Sequence, residues 1–292
     1  MSGAGPSASD PRASPARGDP RPPTVEALVE YVGAMSGRPR FHMGNEALDR
    51  NVMQRVRITI HDARPLRHEL TLDRNGFQLF DHATALSDPR AAAAAQGPYR
   101  AELEQVLRAV TGAAKVLTTP NGVVRLAERA PDFGAAGTTY PARQVHSDYT
   151  RTSGPALAQG LLSPQEARER RGKRFAIYSL WRAFSPPPQD VPLALCDAQS
   201  VAPEDVVLSD VVIGPPGRQI VFEGANFRHS PRHRWYYFRD LRRHELVMIK
   251  LYDSDETRAW RVPHTAFLDP SAPPGAPPRV SLEIRGVAFF DA

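Results

Sequence analysis

Three stretches decide the fold: RFAIYSLW (174–181), LVMIKLY (246–252) and VSLEIRGVAFF (280–290). Each is rich in β-branched, aromatic and aliphatic residues and is bounded by Pro, Gly, Asp or Ser, the pattern of a buried strand between turns. Between them, 192–196, 206–213, 218–223 and 234–238 read the same way. Short strands at this spacing suggest a barrel or sandwich.

Working back from these strands, the chain becomes more helical. ALAQGLLSPQEARERRG (155–171) reads as a charged helical excursion, and Lys115 to Thr119 as a strand. Residues 98–112 carry Leu103, Val106, Leu107 and Val110 at helical spacing, with Pro98 as the expected start and Gly112 as the stop. RVRITIH (55–61) alternates as a strand does, with 64–72 as its expected partner. Thr24, followed by Glu26, Ala27, Leu28, Val29 and Tyr31, reads as a capped amphipathic helix. Residues 1–23 are Pro, Gly, Ser, Ala and Arg with little to bury, so a disordered tail is expected there. The remainder, 24–292, shows no internal linker and reads as a single mainly β domain with supporting helices.

Composition narrows the function. The chain has 292 residues, enough for a sizeable core, and no apolar run long enough to span a membrane. A single cysteine, Cys196, excludes an internal disulfide and Cys-rich zinc modules, and points to a reducing, cytoplasmic setting. The net charge is +5, but only Lys115, Lys173 and Lys250 among the 37 basic residues are lysines. Such an arginine bias, in an Ala- and Pro-rich chain, reads as GC-rich coding background. No basic groove with interleaved aromatics is evident, so nucleic acid is a disfavoured partner.

Of nine histidines, only His146 has a carboxylate two positions away, in His146-Ser147-Asp148. Residues i and i+2 of a strand share a face, so this imidazole and carboxylate can hold one cation together. Alone, the motif is weak, and a surface His beside an Asp fits it as well. A second His from a distant strand would complete a facial triad suited to non-haem Fe(II) and oxygen. His264 is the better candidate because Arg279 and Ser281 follow it, again i and i+2. A guanidinium plus a hydroxyl is the chemistry that anchors a dicarboxylate co-substrate. His233, the rival, sits in RHRWYYF (232–238) and reads better as packing in an aromatic strand.

The sequence resembles the CmcJ/AsaB-like (gibberellin-desaturase-like) hydroxylase/desaturase family of non-haem Fe(II)/2-oxoglutarate-dependent oxygenases. The signatures are His146 to Thr150 for H-x-DYT, Ser179 to Ala183 for an altered NVWRP, and Pro192 to Ala198 with Ser200 for PLALCDA-S. Others are His233 to Tyr237, Lys250 to Ser254, Pro263 to Phe267 with Asp269-Pro270, and Arg279, Ser281, Glu283, Arg285 and Phe289 to Asp291. The likeness covers roughly residues 75–292. It implies a double-stranded β-helix (jelly roll or cupin-like) core and an enzyme that uses Fe(II), 2-oxoglutarate and O2 on a small-molecule secondary-metabolite intermediate. His146, Asp148 and His264 would be the ligands, and Arg279 and Ser281 would anchor 2-oxoglutarate. A non-catalytic accessory or substrate-binding subunit of the same fold is the alternative. Ser179 and Ala183 depart from the family pattern, which puts substrate identity in question.

Tyr149, Trp181, Arg182, Tyr237 and Lys250 are the candidate substrate contacts. Each also has a bland reading. Trp181 and Tyr237 suit a core, Tyr149 suits support of the metal carboxylate, and Lys250 suits a strand end. Arg182 and Lys250 are the candidate cations for an acidic substrate. The sequence does not select hydroxylation over desaturation, nor an oligomeric state.

Overall fold

The computed structural model describes residues 23–43, 45–90, 93–135, 137–215 and 217–291. All but the last residue of the expected tail at 1–23 lie outside them. In chain order the strands are β1 (Thr24–Val32), β2 (Arg40–His42), β3 (Met53–Asp62), β4 (Phe77–Asp81), β5 (Lys115–Thr118), β6 (Val123–Leu126), β7 (Thr138–Thr139) and β8 (His146–Ser147). They continue with β9 (Phe175–Ala183), β10 (Leu193–Cys196), β11 (Val206–Ile213), β12 (Ile220–Phe227), β13 (Trp235–Tyr237), β14 (Glu245–Asp253), β15 (His264–Ala266) and β16 (Val280–Phe289). The helices are α1 (Ala93–Thr111), α2 (Ser153–Gly160) and α3 (Pro164–Glu169). Among the described residues, no helix is long and apolar enough to cross a membrane.

Two sheets face one another in the double-stranded β-helix manner. One runs β1-β3-β13-β10-β15-β8-β12-β11-β2, the other β4-β14-β9-β16-β6-β7, with β5 also on β16. Between them lies a core that takes Leu193 and Leu195 from the first sheet and Ile177, Trp181, Ile249, Val287 and Phe289 from the second. The other face of the second sheet presents Tyr178, Leu180, Met248, Leu282 and Ile284 to Tyr99, Leu103 and Leu107 of α1. This two-sided burial is why β9, β14 and β16 read as continuous apolar runs rather than strict alternations.

Three local expectations need correction. The stretch 24–32 is a strand, not a helix: Val25, Ala27, Val29 and Tyr31 are buried at a period of two. All nine residues pair antiparallel with β3, so tertiary pairing overrides the helical reading. That pairing leaves no place for 64–72 as a strand. Instead it forms a short 3-10 turn at Arg64–Leu66, held by a two-pronged bond from Arg64 to Glu245 at 2.6 and 2.8 Å. Helix α1 begins at Ala93, ahead of Pro98, as the high helix propensity of its alanines favours. Gly112 ends it as expected, with φ +66°.

Gly286 lets α1 settle on β16, since a Cβ there would lie 2.6 Å from Leu107 Cδ2. Leu107 is fully buried at this contact. Leu107→Ala should lower the unfolding free energy by about 2–5 kcal/mol, read from the urea midpoint. An unchanged midpoint would contradict this packing.

Candidate metal and co-substrate site

Strands β8 and β15 are only two and three residues long, yet their pairing builds the site. Antiparallel register sets His264 directly opposite His146, with ring centroids 4.3 Å apart. Asp148, two residues beyond His146, brings its Oδ1 to 3.7 Å from His146 Nε2. Ligand atoms of His146, Asp148 and His264 all lie within 4.8 Å of one another. These are two imidazoles and a carboxylate from two strands, the donor set of a mononuclear non-haem Fe(II) centre with open positions.

Both rings are aimed by the same local device. His146 Nδ1 lies 2.9 Å from the Gln144 carbonyl and His264 Nδ1 lies 3.0 Å from the Val262 carbonyl. In each case Nδ1–H donates to a backbone oxygen two residues earlier. The Nε2 lone pairs are thereby left for a cation. Burial, with His264 alongside, lowers the His146 pKa to about 4, so the ring is neutral at pH 7. Burial alone would raise the Asp148 pKa, but Arg285 and the two histidines hold it well below the carboxylate range. Arg285 Nη2 donates to Asp148 Oδ2 at 2.9 Å, leaving Oδ1 on the histidine side.

Arg285 belongs to a polar row on β16. Arg279, Ser281, Glu283 and Arg285 are spaced by two and share the inward face. Glu283 accepts from Ser179 Oγ at 3.2 Å and sits 3.3 Å from both Arg125 and Arg285. Burial works against its charge, and the two guanidiniums outweigh burial, so its pKa falls. Arg125 reaches this group from β6, where it is opposite Ser281.

The outer end of the row has unmet demand. Arg279 is 1 % exposed, with Nη1 donating to the Val191 carbonyl at 2.8 Å, but its Nε has no partner. Ser281 Oγ is also buried without a partner. Burial, together with Arg125, lowers the Arg279 pKa to about 9, the mark of a cation short of a counter-charge. A carboxylate at this point would satisfy both orphaned atoms, so the residues fit a 2-oxoglutarate anchor. A small cavity joins Arg279 to His146 and His264, with Trp181 and Glu283 on its walls.

The candidate substrate contacts divide. Trp181 faces the small cavity, its ring 5.7 Å from the Arg279 guanidinium carbon. Tyr149 lines a chamber on the other side of Asp148, and burial raises its pKa to about 12. Arg182 requires correction as a cavity cation. Adjacent strand residues point to opposite faces, and with Trp181 inward Arg182 points at α1. There it is fully buried, donating to Tyr99 Oη at 3.0 Å, to the His82 carbonyl at 2.8 Å and to the Arg243 carbonyl. Lys250 is likewise buried outside the cavity, paired with Asp73 at 2.7 Å and Asp253 at 2.9 Å. Tyr237 packs edge-on against Phe267 and accepts from Arg239 Nε, also away from the cavities. His233 is held by Tyr31 and Asp205 in a separate buried cluster, as its packing reading anticipated. Cys196 is buried and its thiol is pushed up to about 12, so it is unreactive.

Sequence reasoning missed Arg285, Glu283 and Arg125 as site residues. Arg285 and Glu283 continue the same period of two that singled out Arg279 and Ser281, so the signal was present. Arg125 comes from a four-residue strand with no motif around it.

An open three-ligand cluster on a double-stranded β-helix defines a class, the mononuclear non-haem iron oxidoreductases. The chain belongs to the family described as the oxidoreductase/YMDC permease-like domain, whose model matches residues 29–289. It is 30% identical over 243 residues to the Fe(II)/2-oxoglutarate-dependent dioxygenase nvfI of Aspergillus novofumigatus, covering 80% of this chain and 83% of that protein. It is 29% identical to the hydroxylase/desaturase CTB9 of Cercospora beticola, with 85% and 81% of the two chains covered. The solved structure of the iron and alpha-ketoglutarate-dependent endoperoxidase NvfI superposes with a TM-score of 0.79 at 26% identity, over 92% of this chain and 98% of that one.

Lys250→Met would remove the buried member of a network in which Arg174 still holds Asp253 and Arg258 still holds Asp73, and should cost about 1–3 kcal/mol of stability. The 2-oxoglutarate dissociation constant, measured by calorimetry with Mn(II) in place of iron, should not change. Weaker co-substrate binding at unchanged stability would contradict the placement of Lys250 outside the cavity.

Proposed function

We infer that the chain is an Fe(II)- and 2-oxoglutarate-dependent oxygenase, a hydroxylase or desaturase of a small-molecule intermediate in secondary metabolism. His146, Asp148 and His264 would hold the iron, and Arg279 and Ser281 the distal carboxylate of 2-oxoglutarate. What supports the reading most is a three-ligand cluster whose two histidines share a cavity with Arg279, where Arg279 Nε and the neighbouring Ser281 Oγ are buried without partners. The iron and 2-oxoglutarate would supply the activation of O2 for substrate oxidation.

The protein's own contribution is positional. His146 and His264 offer Nε2 because their Nδ1 atoms are committed to backbone carbonyls. Arg285 fixes the Asp148 carboxylate through one oxygen and leaves the other free to bind. Trp181 covers the Arg279 guanidinium and keeps water from competing for it. Residues 24–292 act as one domain in this reading, because the wider cavity at the metal cluster draws residues from Glu30 to Arg285. The lone buried thiol of Cys196 suits a cytoplasmic, reducing setting.

Anaerobic Fe(II) with 2-oxoglutarate should give the weak visible charge-transfer band of a chelated complex. His264→Ala should abolish it and His233→Ala should keep it; the reverse pattern would overturn the ligand assignment. Ser281→Ala should weaken 2-oxoglutarate binding on the order of tenfold, and Arg279→Met by 100-fold or more. Unchanged affinity in both would remove the anchor from these residues.

A further inference from the structure

Beyond the co-substrate cavity and the wider cavity at His146, Asp148 also borders a further chamber of about 600 Å³. It lies between α2, the loop before β6 and the β11–β12 hairpin. Asp148 and Arg285 form its floor, so a molecule seated there would lie against a ligand of the metal. The volume falls in the range that encloses a drug-sized compound.

The walls specify the chemistry of that compound. Met43, Val123, Tyr149, Leu157, Val221 and Phe222 present hydrocarbon and ring surface. Among the described lining residues, three carry charge: Asp148, Glu223 and Arg285. Arg285 is held against Asp148 at 2.9 Å. Glu223 is engaged by Arg38 at 2.7 Å and by the Thr150 hydroxyl. The lining therefore has one cation facing two carboxylates, and that cation is committed to one of them. An anionic guest would lose its hydration without gaining an ion pair. The two cations suggested by sequence for an acidic substrate, Arg182 and Lys250, are buried elsewhere.

Apolar surface continues from the chamber to the hairpin tip. Ile213, 41% exposed and lining the chamber, shares a face of the hairpin with its cross-strand partner Ile220, which is 68% exposed. Large aliphatic side chains clustered at the rim of a cavity extend its apolar binding surface.

We propose that the substrate is a largely apolar, uncharged small molecule, held in this chamber by hydrophobic contact and recognised without an ion pair. The location of the reacting atom rests on the oxygenase reading above. The selectivity of the chamber does not, and it is measured with the full chain free of metal.

A matched pair of fluorescent probes separates the alternatives. N-phenyl-1-naphthylamine is neutral and apolar, and 8-anilino-1-naphthalenesulfonate carries the same rings with a sulfonate. The neutral probe should bind at least tenfold more tightly. Ala156→Trp, which fills the chamber, should weaken it tenfold or more. Val221→Trp, at a half-exposed position that tolerates bulk, should do the same if the first variant does not fold. Equal or tighter binding of the sulfonate would overturn the proposal, as would unchanged neutral-probe binding in the folded variants. Loss of the Fe(II)–2-oxoglutarate band with the probe pattern intact would count against the oxygenase reading alone.

Discussion

One antiparallel contact, His264 opposite His146 across β8 and β15, organises everything around it. The two strands are too short to be stable alone. They are held because β15 also pairs with β10 and β8 also pairs with β12, so both are central in the first sheet. A slip of one residue in either strand would send a histidine to the opposite face. The backbone carbonyls of Gln144 and Val262 then fix each ring. Aiming the two rings needs only main-chain acceptors.

Facing this contact, β16 solves an electrostatic problem. It places Arg279, Ser281, Glu283 and Arg285 in a row inside the barrel, where isolated charges are costly. Arg285 offsets Asp148, and Glu283 lies between Arg285 and Arg125. Arg279, beside the unpartnered Ser281 hydroxyl, is the charge of this row left with unmet demand. That graded compensation separates a permanent ion pair, Arg285 on Asp148, from a buried guanidinium whose Nε is left without a partner. The same row gives the apolar chamber its character, because the guanidinium nearest to it is already committed.

Much of this was legible in the sequence, and the failures follow one physical cause. The buried strands of 174–290 announced themselves through continuous apolar runs, and β11 was read to the residue. His146 with Asp148, and Arg279 with Ser281, drew notice through period-two spacing, which is a local property; His264 was singled out because that second pair follows it, and the structure gathers it with His146 and Asp148. Burial against distant elements is not local. Residues 24–32 alternated, but the reading as a capped helix rested on Thr24 and the apolar spacing after it, and the pairing with β3 is a long-range fact that neither carries. Arg182 and Lys250 looked like cavity cations because rarity and motif membership carry no facing information; alternation from Trp181 would have turned Arg182 outward. The chamber walls come from α2, β6, β12 and loops far apart in sequence, so its apolar character could not be read before folding.

The central claim is that iron and 2-oxoglutarate share one cavity defined by the β8–β15 contact and the β16 row. Anomalous diffraction from crystals grown anaerobically with Fe(II) and 2-oxoglutarate tests it most directly. The account predicts an iron peak bounded by Nε2 of His146, Nε2 of His264 and one oxygen of Asp148, with the distal carboxylate of 2-oxoglutarate on Arg279 and Ser281. An iron peak at the separate cluster of His233 and Asp205, or a co-substrate carboxylate turned away from Arg279, would contradict it.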